Sequence, residues 1–179
     1  MPAPAIALRL TALAGATLLT LGALAGCSPE SEPTPAPRPV FASEEEAFNA
    51  AEETYLAYTE ATNSTDLSDP STFEEVFDWM IDPAEGSSRK NYSAYHAEGI
   101  SRTGETTFDT FTPVSFKNNV VTIRLCVDVS QVQLHNGGGE SVTPVDRPPR
   151  QALELELVPG KSPTSLVIRS SVRSKDLRC

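Results

Sequence analysis

Cysteine, histidine and carboxylate side chains carry the reactive chemistry of this sequence, and their spacing limits what each can do. Cys27, Cys126 and Cys179 contain no Cys-x-x-Cys pair, so a dithiol redox centre is not expected. His96 and His135 form no His-x-x-x-His and share no ligand spacing with cysteine, so no metal site is expected. Asp128 and Asp146 can act as acid and base only if the fold joins them; solvated or ion-paired carboxylates are the ordinary alternative. Gly137-Gly138-Gly139 lacks the following Lys-Ser/Thr and helix start of a phosphate-binding loop, and reads as a hairpin connection. Arg147, Arg150, Arg169 and Arg173 form a basic patch if they gather on the sheet, offset by Glu154 and Glu156. No catalytic set emerges, and no cofactor is expected.

Cys27 has a different context. One Arg (Arg9) precedes an uncharged stretch over residues 10–25, rich in Leu and Ala, which ends in Leu24-Ala25-Gly26-Cys27. A charged start, a short apolar middle and small residues before a cut are the parts of an export signal. Sixteen residues broken by Gly and Thr fall short of the roughly 20 that cross a hydrocarbon core, which argues against an uncleaved span. Leu-Ala-Gly-Cys resembles the lipobox of bacterial lipoproteins, whose cysteine is diacylated and becomes the new N-terminus. That resemblance implies a signal peptide over residues 1–26 and a fatty-acylated Cys27 holding the chain to the outer face of the cell membrane, where two acyl chains suffice for stable attachment. With Cys27 so used, Cys126 and Cys179 remain as an even pair in an oxidising compartment. They are expected to form a structural disulfide; two independent thiols are the alternative.

Residues 28–40, SPESEPTPAPRPV, carry five prolines. Missing donors at that density exclude a helix or ladder, so residues 27–42 read as a lipidated cysteine and an extended tether. The formal net charge is -10, from 14 basic and 24 acidic residues. Loss of residues 1–26 removes Arg9 alone, leaving 13 against 24, or -11. Such a body repels phosphate backbones, which disfavours nucleic acid as a partner.

Residues 43–179 read as one α+β domain. Ser43 with Glu46 has the capping-box form, and Phe48, Ala51, Tyr55, Tyr58 and Thr62 recur at three-and-four spacing, predicting a first helix of about 20 residues. Asp69-Pro70 opens a second helix with Phe73, Val76, Phe77 and Met80 on its buried face, stopped by Asp82-Pro83. A third carries Tyr92 and Tyr95 and ends at Gly99. Trp79, Tyr92 and Tyr95 either line a pocket between helices and sheet or join the core.

Strands are predicted over residues 106–116, 120–133, 153–157 and 166–173, with Lys117-Asn118-Asn119 and Pro159-Gly160 as turns and Pro113 as a bend. Cys126 falls on the face opposite Val121, Ile123, Leu125 and Val127. The expected fold is therefore N-terminal helices packed on a curved antiparallel sheet of about four strands.

That order resembles the nuclear transport factor 2-like superfamily, a cone of helices against a bent sheet. The segments Cys126-Val127-Asp128-Val129-Ser130 and Val145-Asp146-Arg147-Pro148, with the lipobox and Cys179, are similar to those of small actinobacterial lipoproteins. The anchor, the spacer and the absence of a catalytic set point to a membrane-anchored, non-enzymatic binding or accessory module, recognising a small apolar ligand, an envelope polymer or a partner protein. The superfamily resemblance implies an alternative, a dehydratase or isomerase with an acid or His inside the cone, and a purely structural envelope protein is the third reading.

Overall fold

Ser43 starts α1 (Glu44–Ser64). Its Oγ accepts from the Glu46 amide at 3.1 Å, while Glu46 Oε2 accepts from the Ala42 amide at 2.8 Å. Three glutamates in the first turn complement the helix dipole. At the far end Arg102 Nη2 donates to the carbonyls of Thr62 and Asn63, satisfying acceptors that a helix C-terminus leaves open. The computed structural model describes residues 40–179; Cys27, the expected export signal and most of the expected tether lie outside them.

After α1 come a 3₁₀ turn (Pro70–Thr72), the short α2 (Glu74–Phe77) and α3 (Ala84–Ala97). Six strands follow: β1 (Ser101–Thr103), β2 (Thr107–Lys117), β3 (Val120–Asp128), β4 (Gln133–His135), β5 (Arg150–Pro159) and β6 (Leu166–Arg173). The main sheet is antiparallel in the order β2-β3-β5-β6, and β1 pairs with β4 in a two-stranded ribbon.

Register explains the core. Val121 faces Leu157, Ile123 faces Leu155 and Leu125 faces Leu153 across β3 and β5, so one alternating set from each strand lands on the same face. Leu166 and Ile168 extend it onto β6, and Ala47, Ala51, Thr54 and Tyr55 of α1 cover it. The small residues let the helix sit close to the sheet. The Thr54 and Thr59 hydroxyls are buried but donate to the carbonyls four residues earlier, at 2.6 and 2.8 Å. A second cluster, Leu67, Phe73, Val76, Phe77 and Ile100, closes the end of the molecule, with Tyr92 against Phe73 and Phe77.

Curvature enters through β2, whose register shifts between Asp109 and Thr112 and again between Pro113 and Ser115. The expected bend at Pro113 is therefore present, on an edge strand where a missing donor costs no ladder bond. Gly104, at φ 76°, lies against the Gln131 backbone: a Cβ there would meet its carbonyl oxygen at 1.9 Å. Only glycine fits.

Two expected elements differ. The second helix does not run to Met80: after Phe77 the chain leaves the helix and adds to the edge of β6, with Ile168 N donating to Trp79 O at 2.8 Å and Ile81 N to Ile168 O at 3.0 Å. The unpaired edge of β6 supplies partners that a further helical turn would compete with. The strand expected over 120–133 breaks at Asp128, whose Oδ1 accepts the Ser130 amide at 2.8 Å and turns the chain. Its last residue, Gln133, opens β4.

Candidate functional site

The sequence stripe Ala57, Glu60, Ala61 and Ser64 repeats at three-and-four spacing on the face of α1 turned away from the sheet core. It forms one wall of an open groove of about 960 Å³. The opposite wall is α2 and the segment that joins it to α3, presenting Glu75, Asp78, Trp79 and Ile81. The β5–β6 turn closes one side with Lys161 and Pro163. The floor is apolar, with Phe77 and Val167 buried beneath it.

The backbone bonds of Trp79 and Ile81 to Ile168 fix this wall. Met80, between them, packs against the main core and also borders the groove, with Trp79 and Ile81 on either side. Trp79 is half-buried and Ile81 exposed. The indole is thus held by strand-like pairing rather than by a free loop.

Charge in the groove is uneven. Arg89 is fully engaged: Nη1 and Nη2 take both Glu74 oxygens at 2.8 and 2.9 Å, Nε takes Glu85 at 2.8 Å, and the guanidinium carbon stands 4.2 Å over the Phe77 ring. Hydrogen bonds donated to Glu74 first and to Glu85 second push the Arg89 pKa upward, and Arg89 holds Glu74 below the usual carboxylate range. Among the described residues Glu60, Glu75 and Asp78 have no ion-pair partner, and Lys161 is the one lining cation without one.

Apart from Trp79, the residues singled out from sequence fall elsewhere. Cys27 lies outside the described residues. Cys126 and Cys179 are joined by a disulfide on the face of the sheet away from α1. There the last residues cross the strands: Ser174 N donates to Ala152 O at 2.9 Å, and Arg124 bonds Glu154 and Asp176, each at 2.8 Å.

His96 Nδ1 lies 3.1 Å from Leu67 O beside the Phe73 ring, while His135 is in β4, paired with Ser101. Among the described residues no three His, Cys, Asp or Glu side chains gather as metal ligands.

Asp128 and Asp146 do not act together. Asp128 accepts from Ser130 and faces Arg150 Nη1 at 3.5 Å. Its carboxyl is held below the usual range by the Ser130 bonds first and Arg150 after them, which keeps it ionised rather than poised to donate a proton. Asp146 is exposed in the proline-rich loop, with no bond to Asp128 among the described residues.

The basic patch does not form either. Arg150 bonds both Asp109 oxygens at 2.6 and 2.9 Å, Arg169 reaches Glu156 at 3.1 Å, and Arg147 Nη2 donates to the carbonyls of Val129 and Val132. Of the three aromatics, Trp79 lines a groove, Tyr92 packs into the second cluster and Tyr95 is exposed. The groove is bordered by α1, α2 and α3 on one side and by the β5–β6 turn and Val167 of β6 on the other, so Trp79 lines an opening between the helices and the edge of the sheet.

No family model and no curated protein matches the chain. Solved structures do. A protein from Novosphingobium aromaticivorans, provisionally assigned as an aromatic ring hydroxylase, superposes with a TM-score of 0.51 at 13% identity, over 71% of this chain and 87% of its own. The fold is nuclear transport factor 2-like. Aln2 from a Streptomyces species gives 0.44 at 14% identity over 73% and 91%. A protein from Catenulispora acidiphila, in complex with S-DNPA, gives 0.46 at 13% over 70% and 90%. At 13% identity the likeness to the Novosphingobium protein speaks to the architecture alone.

In this cone the concave side of the sheet is filled. Buried polar or charged side chains among the described residues are Thr54, Thr59 and Thr65, with no acid or histidine among them. Tyr58, in the interior beside Tyr55 and Tyr92, has its pKa pushed up to about 12, by burial first and by Tyr92 second. It stays a neutral phenol at physiological pH. The groove acids Glu60, Glu75 and Asp78 were not singled out from sequence; the 57, 60, 61, 64 stripe was the available signal.

Proposed function

We propose that this chain is a non-enzymatic binding module of the cell envelope, held to the outer face of the membrane through a fatty-acylated Cys27. The observation that carries the non-enzymatic part is the filled cone: no described acid or histidine is buried where a dehydratase or isomerase of this fold would need one. The Trp79 groove is the surface it offers instead. It combines apolar floor, a rigid aromatic and polar rim, the composition of a recognition site. The anchor rests on the export signal and the Leu-Ala-Gly-Cys sequence at residues 24–27, followed by the proline-rich tether.

Intact-mass analysis of the exported protein tests the anchor. The expected species begins at acylated Cys27; an unmodified thiol, or a retained leader, overturns it. A photo-crosslinking residue at Ile81 tests the groove, with the same residue at exposed Val172 on the sheet edge as control. Capture at Ile81 alone is expected, and equal capture at both positions defeats the groove reading. The alternative, a dehydratase or isomerase, would be favoured if turnover of an added substrate were found and abolished by His96→Ala, His135→Ala or Asp128→Asn.

A further inference from the structure

The groove carries information about the kind of partner it admits. Its shape is open along its length rather than enclosed. Small ligands are normally buried on most of their surface in closed pockets, whereas an open trough suits a chain that enters and leaves.

The charges select further. Glu60 stands on the α1 wall, and Glu75 and Asp78 on the facing wall. None of the three has an ion-pair partner among the described residues, while Arg89, which would otherwise cancel one of them, is committed to Glu74 and Glu85. With Lys161 as the single opposing unpaired cation, the lining keeps an excess of two negative charges around an apolar floor. An indole face attracts cations as well, and more so than other aromatics.

Resting on the binding reading above, we propose that the Trp79 groove takes an extended peptide segment of an envelope protein, one that alternates Lys or Arg with aliphatic side chains. The aliphatic groups settle over the Phe77 and Val167 floor, against Ala57 and Ala61 of the α1 wall. The cationic groups reach the three acids and the indole. Ion pairs at this degree of exposure are screened within about 8 Å at physiological ionic strength, so the complex is salt-sensitive.

Trp79 is the single tryptophan of the chain, so its fluorescence reports on this site alone. The mature protein in zwitterionic micelles is titrated with an acetylated, amidated Lys-Leu-Lys-Leu-Lys-Leu peptide. Glu-Leu and Ser-Leu peptides of the same length and spermidine are run beside it. Saturable change with the Lys-Leu peptide is expected, weakening about tenfold between low and physiological salt. It should also weaken about tenfold in the Glu60→Gln/Glu75→Gln/Asp78→Asn variant. Dye-labelled peptide anisotropy with Trp79→Phe provides the readout when the indole is removed, and a weaker complex is expected there too.

No saturable change with the Lys-Leu peptide overturns the proposal. Equal affinity for the Glu-Leu or Ser-Leu peptide overturns it while leaving the binding module standing. Equal affinity for spermidine makes the ligand a small polycation and overturns the peptide. If none of the four binds and Ile81 captures nothing selectively in cells, the binding module falls with it.

Discussion

Helix α1 works in two directions, and the contrast between its faces separates stability from recognition. Toward the sheet, Ala47, Ala51, Thr54 and Tyr55 meet Ile123, Leu125, Leu155 and Leu157, all buried, with the Thr54 hydroxyl bonded to Ala50 O. On the other side, Ala57, Glu60, Ala61 and Ser64 border the Trp79 groove, where acids stand unpaired and an isoleucine faces solvent. Both faces use small residues at helical spacing. The first is closed by hydrophobic burial, which is worth roughly 25 cal/mol per Å² of apolar surface removed from water. The second leaves that surface open, so its residues cost little to change and much to lose if a partner is present.

The largest expected effect probes the closed face. Leu155→Ala should destabilise by about 2–5 kcal/mol in urea denaturation, from lost transfer energy plus the cavity left in rigid surroundings. A loss below about 1 kcal/mol would show that the core is not packed as described. Next is the covalent staple beyond the sheet. The bond spans 53 residues, and Cys179→Ser should cost about 2–4 kcal/mol, seen as a lower thermal midpoint without reductant and as no difference from wild type with it.

A smaller effect separates the two sides by pH. Tyr58 has its folded pKa raised to about 12, from an ordinary value near 10. A raised pKa contributes stability that is whole below about pH 10 and lost as pH climbs toward 12. Allowing for its partial exposure, the loss should be about 1–2 kcal/mol, and Tyr58→Phe should flatten that limb of a pH–stability curve. At the acid end the sign reverses. Asp109, held low by Arg150 first and Thr110 second, stabilises above the ordinary aspartate range near pH 3.9 and loses that contribution as pH falls below it. Arg150→Gln should therefore flatten the acid limb, measured by far-ultraviolet circular dichroism from pH 5 to 2. Smallest of all, Ile81→Ser on the open side should change stability by no more than about 0.5 kcal/mol. A larger loss would mean that the groove wall is structural.

The closed face was legible in the sequence and the open one was not. Alternation at Val121, Ile123 and Leu125 fixes a strand's inner side without reference to any other element, and Ser43 with Glu46 marks a helix start within four residues. Pro113 announced the bend. By contrast, β1 and β4 are three residues each and exist only because Ser101, Arg102 and Thr103 meet His135, Leu134 and Gln133 from a distant stretch of chain. The second helix misled because its apolar spacing continues through Met80, while the edge of β6 claims the backbone at Trp79 and Ile81. The groove is assembled from three separate stretches, and a free acid looks the same in sequence as a paired one. The arginines show the same limit: Arg150 and Arg169 read as a patch, but their partners come from other strands.

The bond between Cys126 and Cys179 makes a closed ring of everything from the middle of β3 to the last residue. The glycine-rich connection at residues 137–139 and the proline-rich stretch after it are both inside that ring. A protease that severs either exposed stretch releases no fragment; the two pieces stay covalently joined, and the nick becomes visible only on a gel run with reductant. At the envelope location proposed above, where proteases are met and reductants are scarce, the chain could be cut there and remain one molecule.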